Sequence, residues 1–207
     1  MSLLSVVEAR RSCYVIDNKC PHEQQQIITL VEKCLLHTPS MFNMQSTRIV
    51  VLFGDHHRKL WAMVAESLGL EILQKRPNVA YQHFETVEAK ISTLRKGYGT
   101  VLFFEDNEAI EETACQYPAY SPRLPTWSSQ SSAIAQYAVW LAFTELSPRI
   151  GTTLQHYSPD RGEMERLWAI PQTWEMTGQM PFGNIEADPP SKTFRDIKQS
   201  VHAYTDS

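Results

Sequence analysis

Residues 129–146 restrict the fold more than any other segment. Ala133, Ala135, Tyr137, Ala138, Trp140, Leu141, Ala142 and Phe143 make a helix there apolar on most faces. Such a helix is expected to be central and buried, and its alanines would let a second helix approach closely. Pro148 ends it, because proline lacks the amide donor a helix needs.

Two compact β-branched and aromatic runs supply the sheet: Arg48 to Phe53 (RIVVLF) and Thr100 to Phe104 (TVLFF). A third strand is expected near 174–182, and 150–157 reads as extended. Between them, helical spacing predicts a short amphipathic helix over 3–11 capped by Ser2, and a second opening at Pro21 and carrying Ile27, Ile28, Val31 and Leu35. Further helices are expected after Gly54-Asp55, over 84–96 with Gly97 closing it, and over 162–168. Pro118, Pro122 and Pro125 mark a loop. No repeat and no long linker divides the chain. The expected class is α+β, one domain with a central sheet flanked by helices, and residues 184–207 as a C-terminal arm after Pro189-Pro190.

Composition excludes several functions. The 207 residues are 43% hydrophobic and 20% charged with a net charge of −4, and the pI is near 6.0. That balance offers no basic field for a phosphate backbone, so no nucleic-acid partner is expected. No run approaches the roughly 20 apolar residues that span a bilayer, and the first eleven residues do not read as a signal peptide. No membrane association and a cytoplasmic location are expected. Cys13, Cys20, Cys34 and Cys115 lack metal-finger spacing and read as separate reduced thiols.

Some chemical motifs fail on inspection. Gly97-Tyr98-Gly99 lacks the third glycine of a dinucleotide fingerprint and leads into a strand. His56-His57 points in two directions on a helix, so it reads as solvated or capping and not as a metal face. No Gly-x-Ser-x-Gly elbow is present. Glu163 and Glu165 read as a solvated helix face.

Three segments remain. Arg10, Arg11 and Ser12 place two guanidiniums and a hydroxyl at the end of the first helix; they suit a phosphate, and equally a helix C-terminal dipole. The 38–45 loop, with Ser40, Asn43 and Gln45, offers paired donors and acceptors or an ordinary turn. Leu154-Gln155-His156-Tyr157 is a strand end with concentrated polar groups.

The order Leu-x-x-Val-x-x-x-Arg-Arg-Ser, Pro-Ser-x-x-Asn-x-Gln before a hydrophobic strand, and a later Leu-Gln-His-Tyr resembles the nitroreductase family over nearly the whole chain. Gly99 to Asp106, the loop from Pro118 to Trp127, Phe182-Gly183 and Lys192-Thr193-Phe194 add to it. The likeness is to its short branch of fatty-acid-repression-mutant-like and copper-induced nitroreductases. This resemblance implies an intertwined homodimer with FMN at its interface. It places one of Arg10 and Arg11 near the flavin N1/O2 edge and the other, with Ser12, at the phosphate. It sets Asn43 and Gln45 at the ring edge, Ser40 approaching from the partner subunit, and Leu154, Gln155 and His156 along the ring near N5. Lys192 would pair with the phosphate, with Arg195 the weaker candidate. Tyr14 stands where larger relatives carry a basic residue two places after the serine. The implied reaction is ping-pong: NAD(P)H reduces FMN and leaves, and a small-molecule acceptor such as a nitroaromatic or quinone takes the electrons. No catalytic side chain and no metal are implied. The alternative is a non-catalytic flavin- or ligand-binding regulator in lipid or stress signalling on the same fold.

Overall fold

A computed structural model describes residues 2–75 and 80–205, with side chains outside 71–86. Helix α1 spans Leu3–Ala9, and the Ser2 hydroxyl accepts from the Ser5 amide at 3.3 Å, the expected cap. The helix ends before the arginines, for Arg10 is already extended and the last turn holds no basic residue. Helix α2, Gln24–Leu36, starts after Pro21 instead of at it. A capping box fixes that start: the Gln26 carboxamide accepts from the Glu23 amide at 3.0 Å, and the Glu23 side chain accepts from the third helical amide.

The sheet is antiparallel, with β1 (Ile16–Asp17), β2 (Thr47–Phe53), β3 (Gly99–Asp106), β4 (Ile150–Thr152) and β5 (Trp174–Ile185). Their order is β1-β5-β3-β2, with β4 paired to β5. Every residue of β3 is buried, because helices cover both faces and alternate side chains enter separate cores. Val101 and Phe103 meet Ile27, Val31, Val139 and Phe143 of α2 and α6 (Leu124–Leu146). Leu102 and Phe104 meet Leu60, Trp61, Val64, Ile91 and Leu94 of α3 (Gly54–Lys75) and α4 (Ala80–Arg95). Gly183 lets β1 cross: a Cβ there would lie 2.1 Å from the Asp17 carbonyl oxygen.

Helix α5 spans Asn107–Gln116, and α6 runs over Leu124–Leu146, five residues longer than expected. Pro125 falls in its first turn, where no amide donor is needed, and the preceding Pro118–Arg123 forms a 3-10 turn. The buried face of α6 is Leu124, Ser128, Ser131, Ser132, Ala135, Gln136, Val139 and Phe143. Its opposite face leaves Ile134 47% and Tyr137 41% exposed, so within one chain α6 is buried on one side only. Helix α7, Arg161–Trp168, opens where the Asp160 carboxylate accepts from the Glu163 amide at 2.7 Å. After β5, the described chain to residue 205 has one 3-10 turn, Ile197–Gln199. Among the described residues, no helix is long and apolar enough to cross a membrane.

Candidate functional site

The Arg-Arg-Ser and Leu-Gln-His-Tyr segments, about 140 residues apart in sequence, lie side by side. Ser12 bridges Thr152 in parallel register, and the Cys13 amide donates to the Thr152 carbonyl at 2.9 Å. Thr152 also pairs with Phe182 of β5, so the Ser12 segment adds to the outer edge of β4. The Gln155 and Gln179 backbones exchange two hydrogen bonds of 2.8 Å. The Gln179 carboxamide then accepts from the Tyr157 amide and donates to its carbonyl, both at 2.8 Å. These bonds hold 154–157 on the sheet beside 12–14.

Within that edge, the predicted residues differ in what they offer. Gln155 is buried, and its amide nitrogen donates to Thr153 Oγ1 at 3.1 Å and to the Leu154 carbonyl at 2.7 Å. Leu154 is half-buried against Gly178, and His156 is exposed. The Arg10 guanidinium lies 4.6 Å from the centre of the Trp140 ring. Arg11 donates to the Pro190 carbonyl, which brings the Lys192 segment beside the arginines. The Lys192 ammonium itself lies 5.0 Å from the Phe194 ring centre. Among the described residues, none of these three cations pairs with a carboxylate. Arg10 is the C-cap residue of α1 and Arg11 follows it, so both guanidiniums stand past the last helical turn, one over Trp140 and the other on the Pro190 carbonyl.

Beneath the arginines is a cavity of about 170 Å³, lined by Arg11, Cys13, Trp140, Thr144 and Thr152 among others. Among the described residues the buried Trp140 Nε1–H has no partner, the kind of donor that a bound acceptor would satisfy. Burial pushes the Cys13 thiol pKa up despite the nearby arginines.

The third predicted segment is not brought to the first two. Ser40 Oγ accepts from the Gln45 amide at 2.9 Å, and the Gln45 side chain donates to the Asn43 carbonyl at 3.3 Å. Phe42, Asn43 and Gln45 hold φ values of 54°, 55° and 49°, an uncommon left-handed conformation for residues other than glycine. Phe42 stacks on Tyr117 at 4.1 Å and contacts Trp127 edge-on at 6.1 Å. Trp127 and Trp140 both lie on α6, and the thirteen helical steps from one to the other put this loop about 20 Å along the helix from Arg10.

Several residues escaped sequence reading. Glu105 is buried and accepts from the Ser46, Thr47 and Ser128 hydroxyls, tying the loop's exit to β3 and α6. Lys90 of α4 lies over the Tyr14 and Tyr157 rings. His57, expected to be solvated or capping, is wholly buried. Its Nε2 is 3.1 Å from the Arg95 carbonyl, which can only accept, so Nε2 bears the proton. Its Nδ1 then accepts from Thr100 Oγ1 at 2.8 Å, while that oxygen accepts from the Trp61 indole at 2.9 Å. Burial lowers the His57 pKa from 6.5 to about 4. His56 lies 3.0 Å from the Trp168 indole nitrogen, which donates to it. Glu163 and Glu165 make exposed ion pairs with Arg166 and Arg161. Among the described residues, no group of three His, Cys, Asp or Glu side chains is placed to hold a metal.

A helix-covered antiparallel sheet with a cationic edge strand beside its central helix defines an oxidoreductase scaffold of the nitroreductase type. The chain belongs to the nitroreductase family, whose model matches residues 7–184. It is 30% identical over 205 residues to the protein HBN1 of Saccharomyces cerevisiae, covering 97% of this chain and 96% of that one. Nitroreductase FRM2 of the same yeast is 28% identical over 203 residues, with the same coverage of 97% and 96%. The solved structure of nitroreductase CinD from Lactococcus lactis with nicotinic acid superposes with a TM-score of 0.86 at 30% identity, covering 99% of this chain and 100% of that chain. These relatives lie in the short branch that the motifs indicated.

Proposed function

We propose that the chain is an FMN-dependent oxidoreductase that takes electrons from NAD(P)H and passes them to a nitroaromatic, a quinone or a similar small acceptor, in ping-pong order. The observation that carries this reading is that the Ser12–Thr152 bridge sets Arg10, Arg11 and Ser12 against the segment leading into Leu154–Tyr157, with no carboxylate paired to the arginines among the described residues. Two guanidiniums, a hydroxyl, the neighbouring Lys192 and an orphaned indole N–H suit an anionic phosphate and its polar chain. The residues present fit FMN.

In this reading, Arg10, Arg11, Ser12 and Lys192 bind the phosphate end, and the 154–156 segment lies along the ring. Bound FMN supplies the electron-transfer chemistry; the protein supplies orientation and field. The fixed pairing of Gln155 with Gln179 keeps that wall rigid. No side chain is assigned as acid or base. Ser40, Asn43 and Gln45 reach the same flavin only from a second copy, since about 20 Å of α6 separates them from Arg10 within one chain. Surface apolar residues are consistent with such a homodimer: Leu3 and Leu4 on α1 are 71% and 72% exposed, and Phe194 on the C-terminal arm 78%. CinD, 29–30% identical, has also been solved with chloramphenicol and with 4-nitrophenol, both small aromatic molecules.

The absorption spectrum of the purified protein tests the reading. Oxidised-flavin bands released on denaturation, with NAD(P)H oxidation on adding 4-nitrophenol or a quinone, are the expected result. A yellow protein without turnover on any acceptor would favour the regulator. A colourless protein that FMN neither binds nor stabilises overturns the proposal.

A further inference from the structure

Antiparallel pairing fixes which way each peptide of the 152–157 edge points. Thr152 pairs with Phe182 and Gln155 with Gln179, one continuous register in which Tyr157 would meet Thr177. Gln155 exchanges both its backbone hydrogen bonds with Gln179, so Thr152, Leu154 and His156 turn theirs the other way. That outward side carries the Ser12 strand, since the Thr152 carbonyl accepts from the Cys13 amide at 2.9 Å. The His156 peptide points to the same side, and among the described residues no group takes its N–H.

The backbone rung that should hold Tyr157 is missing. Phe103 pairs with Gly178 and Phe104 with Met176, which leaves Thr177 as the extra residue of a β-bulge. The Thr177 hydroxyl is drawn to α6, 2.8 Å from Ser132 Oγ and 3.2 Å from Gln136 Nε2. The Gln179 side chain fills the gap. Its carbonyl accepts from the Tyr157 amide and its amide donates to the Tyr157 carbonyl, both at 2.8 Å. The second amide hydrogen meets Met176 Sδ at 2.9 Å, so the buried carboxamide has one orientation.

Resting on the FMN reading above, we infer that Gln179 is a positioning residue: its carboxamide replaces the bulged rung and keeps the His156 peptide facing the flavin ring. It acts through Tyr157 and needs no contact with the flavin itself. Without it, the edge is fastened to β5 only as far as Gln155, and the peptide beyond is released. A displacement of about 1 Å beside a reacting centre costs about 100-fold in rate.

Amide hydrogen exchange of the wild-type protein, read by NMR before and after saturation with FMN, tests the geometry without turnover or a variant. Tyr157 should exchange slowly in both states. His156 should exchange rapidly without FMN and about tenfold or more slowly with it. Gln179→Met then keeps the length of the side chain and removes both bonds to Tyr157. At full FMN occupancy and well below its melting temperature, its flavin should be reduced by NADH or NADPH about 10- to 100-fold more slowly in single-turnover stopped flow. Its Tyr157 amide should also lose protection. If Gln179→Met does not fold, Gln179→Glu replaces it with the same expectation, keeping the acceptor for the Tyr157 amide and losing the donor. A residue that only supports the fold would lower the melting temperature and leave the reduction rate at the wild-type value, which overturns the assignment. A His156 amide that exchanges equally fast with and without FMN also overturns it, and leaves the FMN reading intact. Wild-type protein that binds no FMN overturns both.

Discussion

Two parts of the candidate site differ in how they are built. At the outer edge of β4, residues 12–14 and 154–157 are held by backbone pairing and by the buried Gln179 carboxamide. The 40–45 loop instead relies on its own short hydrogen bonds, three left-handed residues and a half-exposed aromatic stack. The edge is a finished surface within one chain. The loop presents polar groups near the other end of α6, where Arg48 donates to the Gln45 carbonyl at 2.6 Å and the Arg10–Ser12 segment of the same chain lies about 20 Å away along the helix. In the proposed homodimer the flavin site would be assembled between copies, and each half should then fail in its own way.

The largest expected effect is at the edge. Arg10→Ala with Arg11→Ala should weaken FMN binding by about 1,000-fold, since charge-assisted hydrogen bonds contribute about 1.5–3 kcal/mol each; fluorescence titration of apoprotein measures it. A change below tenfold would move the phosphate site elsewhere. Next is the layer that carries Lys90. His57 has a folded pKa lowered to about 4, so its neutral form is the one that folding favours. The stability this provides is complete above the unfolded value of 6.5 and is lost as pH falls from there to about 4. The loss amounts to on the order of 3 kcal/mol, visible in urea melts at pH 7 and pH 4.5 alongside the imidazole NMR titration. An imidazole that titrates above pH 6 would contradict the assignment.

At the loop, Asn43→Ala with Gln45→Ala should weaken FMN binding about tenfold while leaving the apoprotein melting temperature nearly unchanged, as both side chains are exposed. A large fall in melting temperature would show them to be structural. The smallest effect is Phe42→Ala, which removes the stack on Tyr117 but keeps the same left-handed strain. It should cost about 1 kcal/mol, read as a shift of a few degrees in a thermal melt.

Two strands were legible because β-branched and aromatic runs have few other uses in a globular chain, and β2 and β3 lie where those runs stand, while β5 covers the third expected strand. Helix starts were less so. Pro21 is a sound first-turn residue in principle, but the reciprocal bonds of Glu23 and Gln26 set the start of α2. Motif order identified the family, and the structure pairs Ser12 with Thr152, two residues before the Leu-Gln-His-Tyr segment. What sequence does not record is distance. The separation of the 40–45 loop from Arg10 follows from the length of α6, and Lys90 meets Tyr14 only because α4 packs across the sheet. Likewise His57 looked solvent-facing beside His56, since one helical step of about 100° divides a buried residue from an exposed one.

The most direct test of a flavin site built by two copies uses mixed dimers. One chain carries Arg10→Ala and Arg11→Ala, the other Asn43→Ala and Gln45→Ala, with different tags so that only mixed pairs are purified. If the edge of one copy and the loop of its partner form each site, one of the two sites in the mixed dimer is wholly intact and the other doubly impaired. The account predicts one tightly held FMN per mixed dimer, against two in wild type. Two weakened sites, one by about 1,000-fold and the other by about tenfold, with neither at wild-type affinity, would show that each site is made within a single chain and would contradict it.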